Sequence, residues 1–195
     1  MNLRKAEISR KTSETDVRCE LTLDGTGRAE IDTGIGFLDH LFSTLARHGR
    51  MDLVLSCTGD LQVDDHHTAE DCALVLGRAL DQALGDKLGV ARFGWALVPM
   101  DEALARAAID LSGRPLAQVS LGLKRDRIGS LACENIVHVL ASLATAARMT
   151  LHVEVLQGEN DHHRAEAAFK AVALSLRQAI ALDGTDHVPS TKGSL

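Results

Sequence analysis

The chain has 195 residues, 45% hydrophobic and 25% charged, which is ordinary for a globular protein that buries a sizeable core. Its formal net charge of −6 argues against nucleic acid and anionic membrane surfaces as partners, because both attract basic proteins. No apolar run approaches the roughly 18 residues of a membrane-spanning helix. The four cysteines form no CxxC pair, so we expect a cytoplasmic protein with reduced thiols.

Apolar periodicity and turn residues predict the same order of elements twice along the chain. In the first half they predict strands at Leu3–Ser9 and Val17–Leu23, a helix around Phe37–Leu45 ending before Gly49, a strand at Met51–Cys57 and a helix at Thr68–Leu84. In the second half they predict strands at Trp95–Met100, Ala103–Leu111 and Pro115–Leu121, a helix at Ile136–Ala147, a strand at Met149–Leu156 and a helix at Ala165–Leu182. We therefore expect an α+β fold of two similar halves, residues 1–90 and 91–195, packed by their apolar faces.

A sequence repeat accompanies this pattern. His40–Leu53 aligns with His138–Leu151 with six of fourteen residues identical. The pattern His-His-x-x-Glu follows in both copies, beginning 26 residues after His40 (66 − 40) and 24 residues after His138 (162 − 138). Six of the nine histidines therefore occupy equivalent positions in the two copies.

These repeated residues are typical metal ligands. His66 and Glu70 are four residues apart at a helix start, so they share a face and can bind one ion, while His67 points about 100° away toward a different ion. The second copy repeats this arrangement, and His40 and His138 would each complete one ligand set. Imidazole and carboxylate suit Mn, Fe, Co, Ni or Zn, so the sequence predicts a two-metal site without selecting the metal. The eight candidate ligands are His40, His66, His67, Glu70, His138, His162, His163 and Glu166.

Other polar residues suggest an anionic substrate. Arg92, Arg114 and Lys192 stand beside Gly or Pro in turn-like segments, where side chains and backbone N–H groups can bind an anion. Glu14 and Asp101 are acidic residues near the starts of predicted segments. There is no phosphate-binding GxxxxGK[ST] loop, no Gly-x-Ser-x-Gly elbow and no HExxH sequence, so covalent nucleophilic catalysis has no visible candidate.

Segments along almost the whole chain resemble the imidazoleglycerol-phosphate dehydratases, a family of histidine biosynthesis. The matching segments are RKTSET (Arg10–Thr15), TGIGFLDH (Thr33–His40), LARHG (Leu45–Gly49), DHHTAED (Asp65–Asp71), ALGDK (Ala83–Lys87), RFG (Arg92–Gly94), PMDEAL (Pro99–Leu104), DLSGRP (Asp110–Pro115), GENDHHRAE (Gly158–Glu166) and PSTKG (Pro189–Gly193). Two segments depart from the family's usual pattern. Val139 and Leu140 replace an aromatic pair, and Ala141–Arg148 lacks an Asn-Ala-Gly turn.

The resemblance implies a hydro-lyase that removes water from D-erythro-1-(imidazol-4-yl)glycerol 3-phosphate to give 3-(imidazol-4-yl)-2-oxopropyl phosphate. It implies two Mn²⁺ ions per active site and a homo-oligomer of 24 subunits with sites between subunits. The implied fold has two halves, each a four-stranded sheet packed on helices, of the ribosomal protein S5 domain 2-like type. The implied ligand sets are His40, His66, Glu70 and His163 for one ion and His67, His138, His162 and Glu166 for the other.

The resemblance also assigns roles around the metals. Arg92, Arg114, Ser190 and Lys192 match residues that bind the substrate phosphate, and His48 lies in a segment that contacts substrate. Glu14 matches the carboxylate that transfers protons, so Glu14 and the six ligands of the two His-His-x-x-Glu segments form the expected catalytic set. The imidazole ring of the substrate would supply the electron sink that the reacting carbon lacks, because metals on both ring nitrogens stabilise an imidazolate.

The residues alone leave two alternatives open. A binuclear metallohydrolase acting on a phosphorylated substrate would use the same ligands but would attack with a metal-bound water. A noncatalytic metal-binding shell would also use these ligands, although it leaves Arg92, Arg114 and Lys192 without a role.

Overall fold

The computed structural model describes residues 3–193, which form two four-stranded sheets, a short two-stranded ribbon and four helices. The first half contains β1 (Lys5–Lys11), β2 (Thr15–Thr22), β3 (Ala29–Asp32), α1 (Gly36–Gly49), β4 (Asp52–Gly59) and α2 (His66–Leu84). The second half contains β5 (Phe93–Met100), β6 (Ala103–Asp110), β7 (Leu116–Ser120), β8 (Arg127–Ile128), β9 (Leu131–Ala132), α3 (Cys133–Ala146), β10 (Thr150–Gln157) and α4 (Asp161–Ala179).

The two large sheets have the same topology. The strand order is β1-β2-β4-β3 in the first sheet and β5-β6-β10-β7 in the second. In each sheet the first three strands pair antiparallel, and the fourth strand pairs parallel with the one beside it. This equivalence confirms the predicted α+β fold with two similar halves, each a four-stranded sheet packed on helices.

The helices connect the two halves. Helix α2 packs on β1 and β2, and α4 packs on β5 and β6, while α1 packs against α4 and α3 packs against α2. Alternating side chains explain the packing within each layer: Val17, Cys19 and Leu21 of β2 are buried, and the residues between them are more exposed. Each helix that carries ligands therefore packs against a helix of the opposite half.

Two of the glycines allow close contacts between a helix and the element packed against it. A Cβ on Gly77 of α2 would lie 2.6 Å from the Ala146 Cβ of α3. A Cβ on Gly94 of β5 would lie 1.9 Å from the Ser175 carbonyl oxygen of α4. Because real Cβ atoms do not approach other atoms so closely, a side chain at either position would push the packed elements apart.

The structure differs from the predicted elements at short strands and at helix ends. Helices α3 and α4 begin three and four residues before the predicted starts, at Cys133 and Asp161. Strand β3 was not predicted, because its four residues Ala-Glu-Ile-Asp are too short for a clear alternation, and its pairing comes from β4 in the folded sheet. The ribbon β8–β9 was missed for the same reason. Helix α4 ends at Ala179 rather than near Leu182, because the chain turns there and Leu182 forms a bridge with Val90.

Two features bear on the predicted environment. Cys19, Cys72 and Cys133 are buried and Cys57 is half-buried, and all four thiols are free. Within residues 3–193, no helix combines the length and apolar character that crossing a membrane requires.

The predicted boundary between the two halves, at residue 90, falls between the end of α2 and the start of β5.

Candidate metal centre

Among residues 3–193, two groups of three side chains could each hold a metal ion. His40, His162 and Glu166 form one group, and His66, Glu70 and His138 form the other. We call them the His40 triad and the His66 triad. In each triad one ligand atom per residue lies within 4.8 Å of the others. Two imidazole nitrogens and one carboxylate oxygen form a donor set that suits a divalent transition metal and leaves coordination positions open.

Each triad combines helices from both halves of the chain. In the His40 triad, Nε2 of His40 lies 3.3 Å and Nε2 of His162 lies 3.2 Å from Oε2 of Glu166. In the His66 triad, Nε2 of His138 lies 2.9 Å from Oε1 of Glu70, and the His66 and His138 rings stack with centroids 4.9 Å apart. The packing of α1 on α4 and of α3 on α2 produces these groups.

This grouping differs from the ligand sets that the resemblance implied. Within one chain His40 lies with His162 and Glu166 instead of with His66 and Glu70, and His138 lies with His66 and Glu70. The reason is tertiary: α1 of the first half packs on α4 of the second half. The in-chain pairs at helical spacing, His66 with Glu70 and His162 with Glu166, stay together in both descriptions.

A buried hydrogen-bond relay orients His66. The Asn135 side-chain oxygen lies 2.9 Å from Nδ1 of His66, and the Asn135 amide donates to Asp65 at 3.0 Å. Asp65 also accepts from the Ala132 backbone N–H. Burial alone would raise the pKa of Asp65, but these hydrogen bonds and Arg127 lower it. The relay directs Nε2 of His66 toward the other ligands of its triad.

A cationic neighbour maintains the charge of the carboxylate in the His40 triad. The ammonium group of Lys170 donates to Oε1 of Glu166 at 2.8 Å, and the Glu166 side chain is only 12% exposed. Burial alone would raise the pKa of Glu166, but the hydrogen bonds from Lys170 and His40 outweigh it and lower the pKa to about 2. Glu166 is therefore ionised at neutral pH, as a metal ligand must be.

His67 and His163 belong to neither triad, although each lies next to a triad ligand in the sequence. Nδ1 of His67 lies 3.0 Å from Oδ2 of Asp60, and Nδ1 of His163 lies 2.7 Å from Oε2 of Glu102. The hydrogen bonds to these carboxylates raise the pKa of both histidines, and the bond from His163 is the largest cause that lowers the pKa of Glu102 to about 2. Both imidazole side chains are partly exposed, at 32% for His67 and 25% for His163.

A second carboxylate faces the other nitrogen of each of these histidines. Oε1 of Glu14 lies 3.8 Å from Nε2 of His67, and Oδ2 of Asp101 lies 3.7 Å from Nε2 of His163. Glu14 and Asp101 occupy the equivalent hairpin turns, β1–β2 in the first half and β5–β6 in the second. Both carboxylates are well exposed, at 49% and 73%, so they can move relative to the imidazoles.

The residues expected to bind phosphate lie at the opposite end of the second sheet. Arg92 precedes β5 and forms an ion pair with Asp110 at 2.7 Å, and Arg114 precedes β7. Arg92 also donates to the Pro189 carbonyl at 2.7 Å, which brings the segment with Ser190 and Lys192 to the same end. Eight residues of β5 separate this end from the turn at Asp101, or about 26 Å at 3.3 Å per residue.

His48 and His152 also lie outside the triads. His48 is in the last turn of α1, about 12 Å along the helix from His40. Burial lowers the pKa of His48, and the nearby Lys170 contributes. His152 lies on β10 with its side chain on the exposed face of the second sheet.

Four residues around the ligands were not identified as site residues from the sequence: Asp60, Glu102, Asn135 and Lys170. Asp60 and Glu102 follow strand-like segments as ordinary turn residues, and Asn135 lies in an apolar helix. Only Lys170 had a detectable pattern, four residues after Glu166, which is the spacing of a helical ion pair.

Comparisons with known proteins give one consistent result. The family model described as imidazoleglycerol-phosphate dehydratase matches residues 33–176. A protein of that description from Cereibacter sphaeroides strain KD131 is 54% identical over 195 residues, covering 99% of this chain and 100% of the relative. A relative of the same description from Phytophthora nicotianae is 56% identical over 193 residues, and the match spans 43% of that longer protein.

The fold comparison agrees. A crystal structure of an imidazoleglycerol-phosphate dehydratase from Pyrococcus furiosus superposes with a TM-score of 0.83 at 37% sequence identity. The superposition covers 96% of this chain and 100% of the other. The sequence relatives and the structural relative therefore carry the same description.

Proposed function

The chain belongs to the imidazoleglycerol-phosphate dehydratase family, a family of hydro-lyases of histidine biosynthesis, and from this premise we propose how its residues carry the reaction. The two triads hold two Mn²⁺ ions, and His67 and His163 supply the remaining imidazoles. The observation that carries the proposal is the pair of His/Glu triads, each with ligand atoms within 4.8 Å of one another.

A second copy of the chain completes each ligand set. We propose that His163 of one copy joins the His66 triad of another, and that His67 joins the His40 triad. Both histidines are partly exposed and lie outside the triads of their own chain, so another copy can reach them. The distance of about 26 Å between the Arg92 end and the Asp101 turn of the second sheet supports this arrangement, because a small phosphorylated substrate cannot span it within one chain.

An exposed apolar surface supports assembly into a homo-oligomer. Trp95 and Leu97 on β5 are 70% and 60% exposed on the outer face of the second sheet, where Leu116 and Leu156 are also exposed. Such a patch is typical of an interface. The 24-subunit assembly implied by the resemblance is the form we propose, and the free thiols support a cytoplasmic location.

The chain's own residues position the substrate and move its protons. Arg92, Arg114, Ser190 and Lys192 bind the phosphate, through charge-assisted hydrogen bonds that fix the opposite end of the substrate. Arg92 is held in place by Asp110, and its guanidinium stacks over the Phe93 ring at 4.7 Å. His48 contacts the substrate between these two ends.

Glu14 carries the proton. Its exposed carboxylate lies 3.8 Å from Nε2 of His67, a nitrogen that would bind one of the metals. The carbon attached to the ring loses its hydroxyl, which needs an acid, and the next carbon of the chain loses its proton, which needs a base; the resulting enol becomes the ketone of the product. When bound, the two Mn²⁺ ions would act as Lewis acids that stabilise negative charge on the substrate's imidazole ring.

The test combines metal content with product analysis. We expect purified protein to bind two Mn²⁺ per chain and to convert imidazoleglycerol phosphate to the keto product without releasing inorganic phosphate. His66→Ala and His162→Ala should each lose tightly bound metal and turnover, whereas the control Glu20→Ala, an exposed residue of β2 in the first sheet, should keep both. Wild-type metal content in the His66 or His162 variant would refute the ligand assignment. Released phosphate would instead indicate a metallohydrolase.

A further inference from the structure

We infer that Asp60 and Glu102 are positioning residues that fix the tautomer of His67 and His163 and so prepare both imidazoles as metal ligands. The inference rests on the proposed metal site and extends it. The supporting geometry is the contact of each carboxylate with Nδ1, at 3.0 Å from Asp60 to His67 and 2.7 Å from Glu102 to His163.

The chemistry of imidazole explains the effect. A neutral imidazole carries one proton, and the nitrogen without the proton is the one that can bind a metal. A carboxylate accepts hydrogen bonds but cannot donate one when ionised, so it keeps the proton on Nδ1. The lone pair on Nε2 is then available to the ion, and the ring is held in one orientation.

The two carboxylates come from positions that the duplication does not relate. Asp60 directly follows β4, whereas Glu102 lies in the β5–β6 hairpin turn, whose counterpart in the first half is the β1–β2 turn. The repeat therefore explains why His67 and His163 correspond, but it does not explain why each has a carboxylate on Nδ1. Carboxylates from two unrelated positions therefore make the same contact with Nδ1, which indicates that His67 and His163 each need a carboxylate there.

Glu102 also has a structural role, and the experiment must distinguish that role from its contact with His163. Its Oε1 accepts from the backbone N–H groups of Glu159 and Asn160, at 3.1 and 2.8 Å, while Oε2 contacts His163. In Glu102→Gln the remaining oxygen keeps the two backbone contacts, which directs the amide NH₂ toward Nδ1. An amide donor at that position moves the proton to Nε2, the nitrogen needed for the metal. Asp60 does not share its oxygens between two partners in this way, because both of them contact Nδ1 of His67.

The test measures Mn²⁺ affinity by calorimetry and the histidine tautomers by ¹⁵N-histidine solid-state NMR of the metal-free protein. We expect Asp60→Ala and Glu102→Gln to weaken Mn²⁺ binding by about 10- to 100-fold, the range usual for lost partners of ligating histidines. Glu102→Gln should move the His163 proton from Nδ1 to Nε2. Asp60→Asn, whose side-chain oxygen can still accept from Nδ1, should lose less affinity than Asp60→Ala. The control Glu159→Gln removes a neighbouring exposed charge and should bind as wild type.

Two outcomes would overturn the inference: Mn²⁺ affinity within twofold of wild type in both Asp60→Ala and Glu102→Gln, or an unchanged His163 tautomer in Glu102→Gln. If Glu102→Gln does not fold, the order of the two Asp60 variants decides, and equal affinities for them and wild type count against the inference. Failure of the wild-type protein to bind Mn²⁺ would refute the proposed metal site itself, which is a distinct result.

Discussion

Replacing Glu166 with glutamine in the metal-free protein should remove a stabilising charge interaction that depends on pH. Glu166 has its pKa lowered from 4.5 to about 2 in the folded chain, chiefly through Lys170 and His40 and against the opposing effect of burial. A difference of about 2.5 units, at about 1.36 kcal/mol per unit, corresponds to about 3 kcal/mol of folding stability. Glutamine has the same shape but, like a protonated carboxyl, carries no charge.

The sign follows from the lowered pKa. The stability that ionised Glu166 contributes is fully present above the pKa of about 4.5 that the carboxyl has in the unfolded chain. It is lost as the pH falls toward 2, the pKa in the folded chain. The free energy of unfolding of the wild-type protein should therefore exceed that of Glu166→Gln by about 3 kcal/mol at pH 7. The excess should fall to about half of that at pH 3 and to almost nothing at pH 2.

Urea unfolding in the presence of a chelator, followed by far-ultraviolet circular dichroism, measures this difference at each pH. Circular dichroism is preferable to fluorescence because the single tryptophan, Trp95, is 70% exposed. Glu154→Gln is the matched control: its pair with Arg106 is well exposed and should contribute less than about 1 kcal/mol. A difference in free energy of unfolding between wild type and Glu166→Gln that stays constant between pH 7 and pH 3 would refute this explanation. It would indicate lost packing instead, because packing does not depend on the ionisation of Glu166.

Three further changes test other parts of the structure. Gly94→Ala should destabilise the protein by about 1–3 kcal/mol or more, because its Cβ would meet the Ser175 carbonyl oxygen; an unchanged urea midpoint would contradict the close contact of β5 and α4. Lys192→Ala should raise KM about tenfold to a hundredfold with little change in kcat, from a lost phosphate contact of about 1.5–3 kcal/mol, and steady-state kinetics with an unaltered KM would exclude Lys192 from the site. Glu14→Gln should lower kcat by about 10²- to 10⁴-fold while metal content stays at the wild-type value; normal turnover would remove Glu14 from proton transfer.

Local spacing made much of the architecture predictable. The order of strands and helices follows from apolar periodicity, and the repeat of His40 and His-His-x-x-Glu in both halves indicates one fold used twice. The pairing of His66 with Glu70 and of His162 with Glu166 also follows from sequence, because residues four apart share a helix face. These relations depend only on helix geometry, which the chain determines over a single turn.

The partners from other helices were decided by tertiary packing. Whether His40 joins Glu70 or Glu166 depends on which helix α1 packs against, and the repeats present similar apolar faces that do not distinguish the two arrangements in sequence. Asp60, Glu102 and Asn135 reach their histidines only because strands, turns and helices distant in sequence meet in the folded chain. The sequence by itself therefore determined the kind of ligand and its helix face, whereas tertiary structure decided which ligands meet and which carboxylate orients them. Helix geometry acts over a few residues, but these contacts depend on the packing of the whole core.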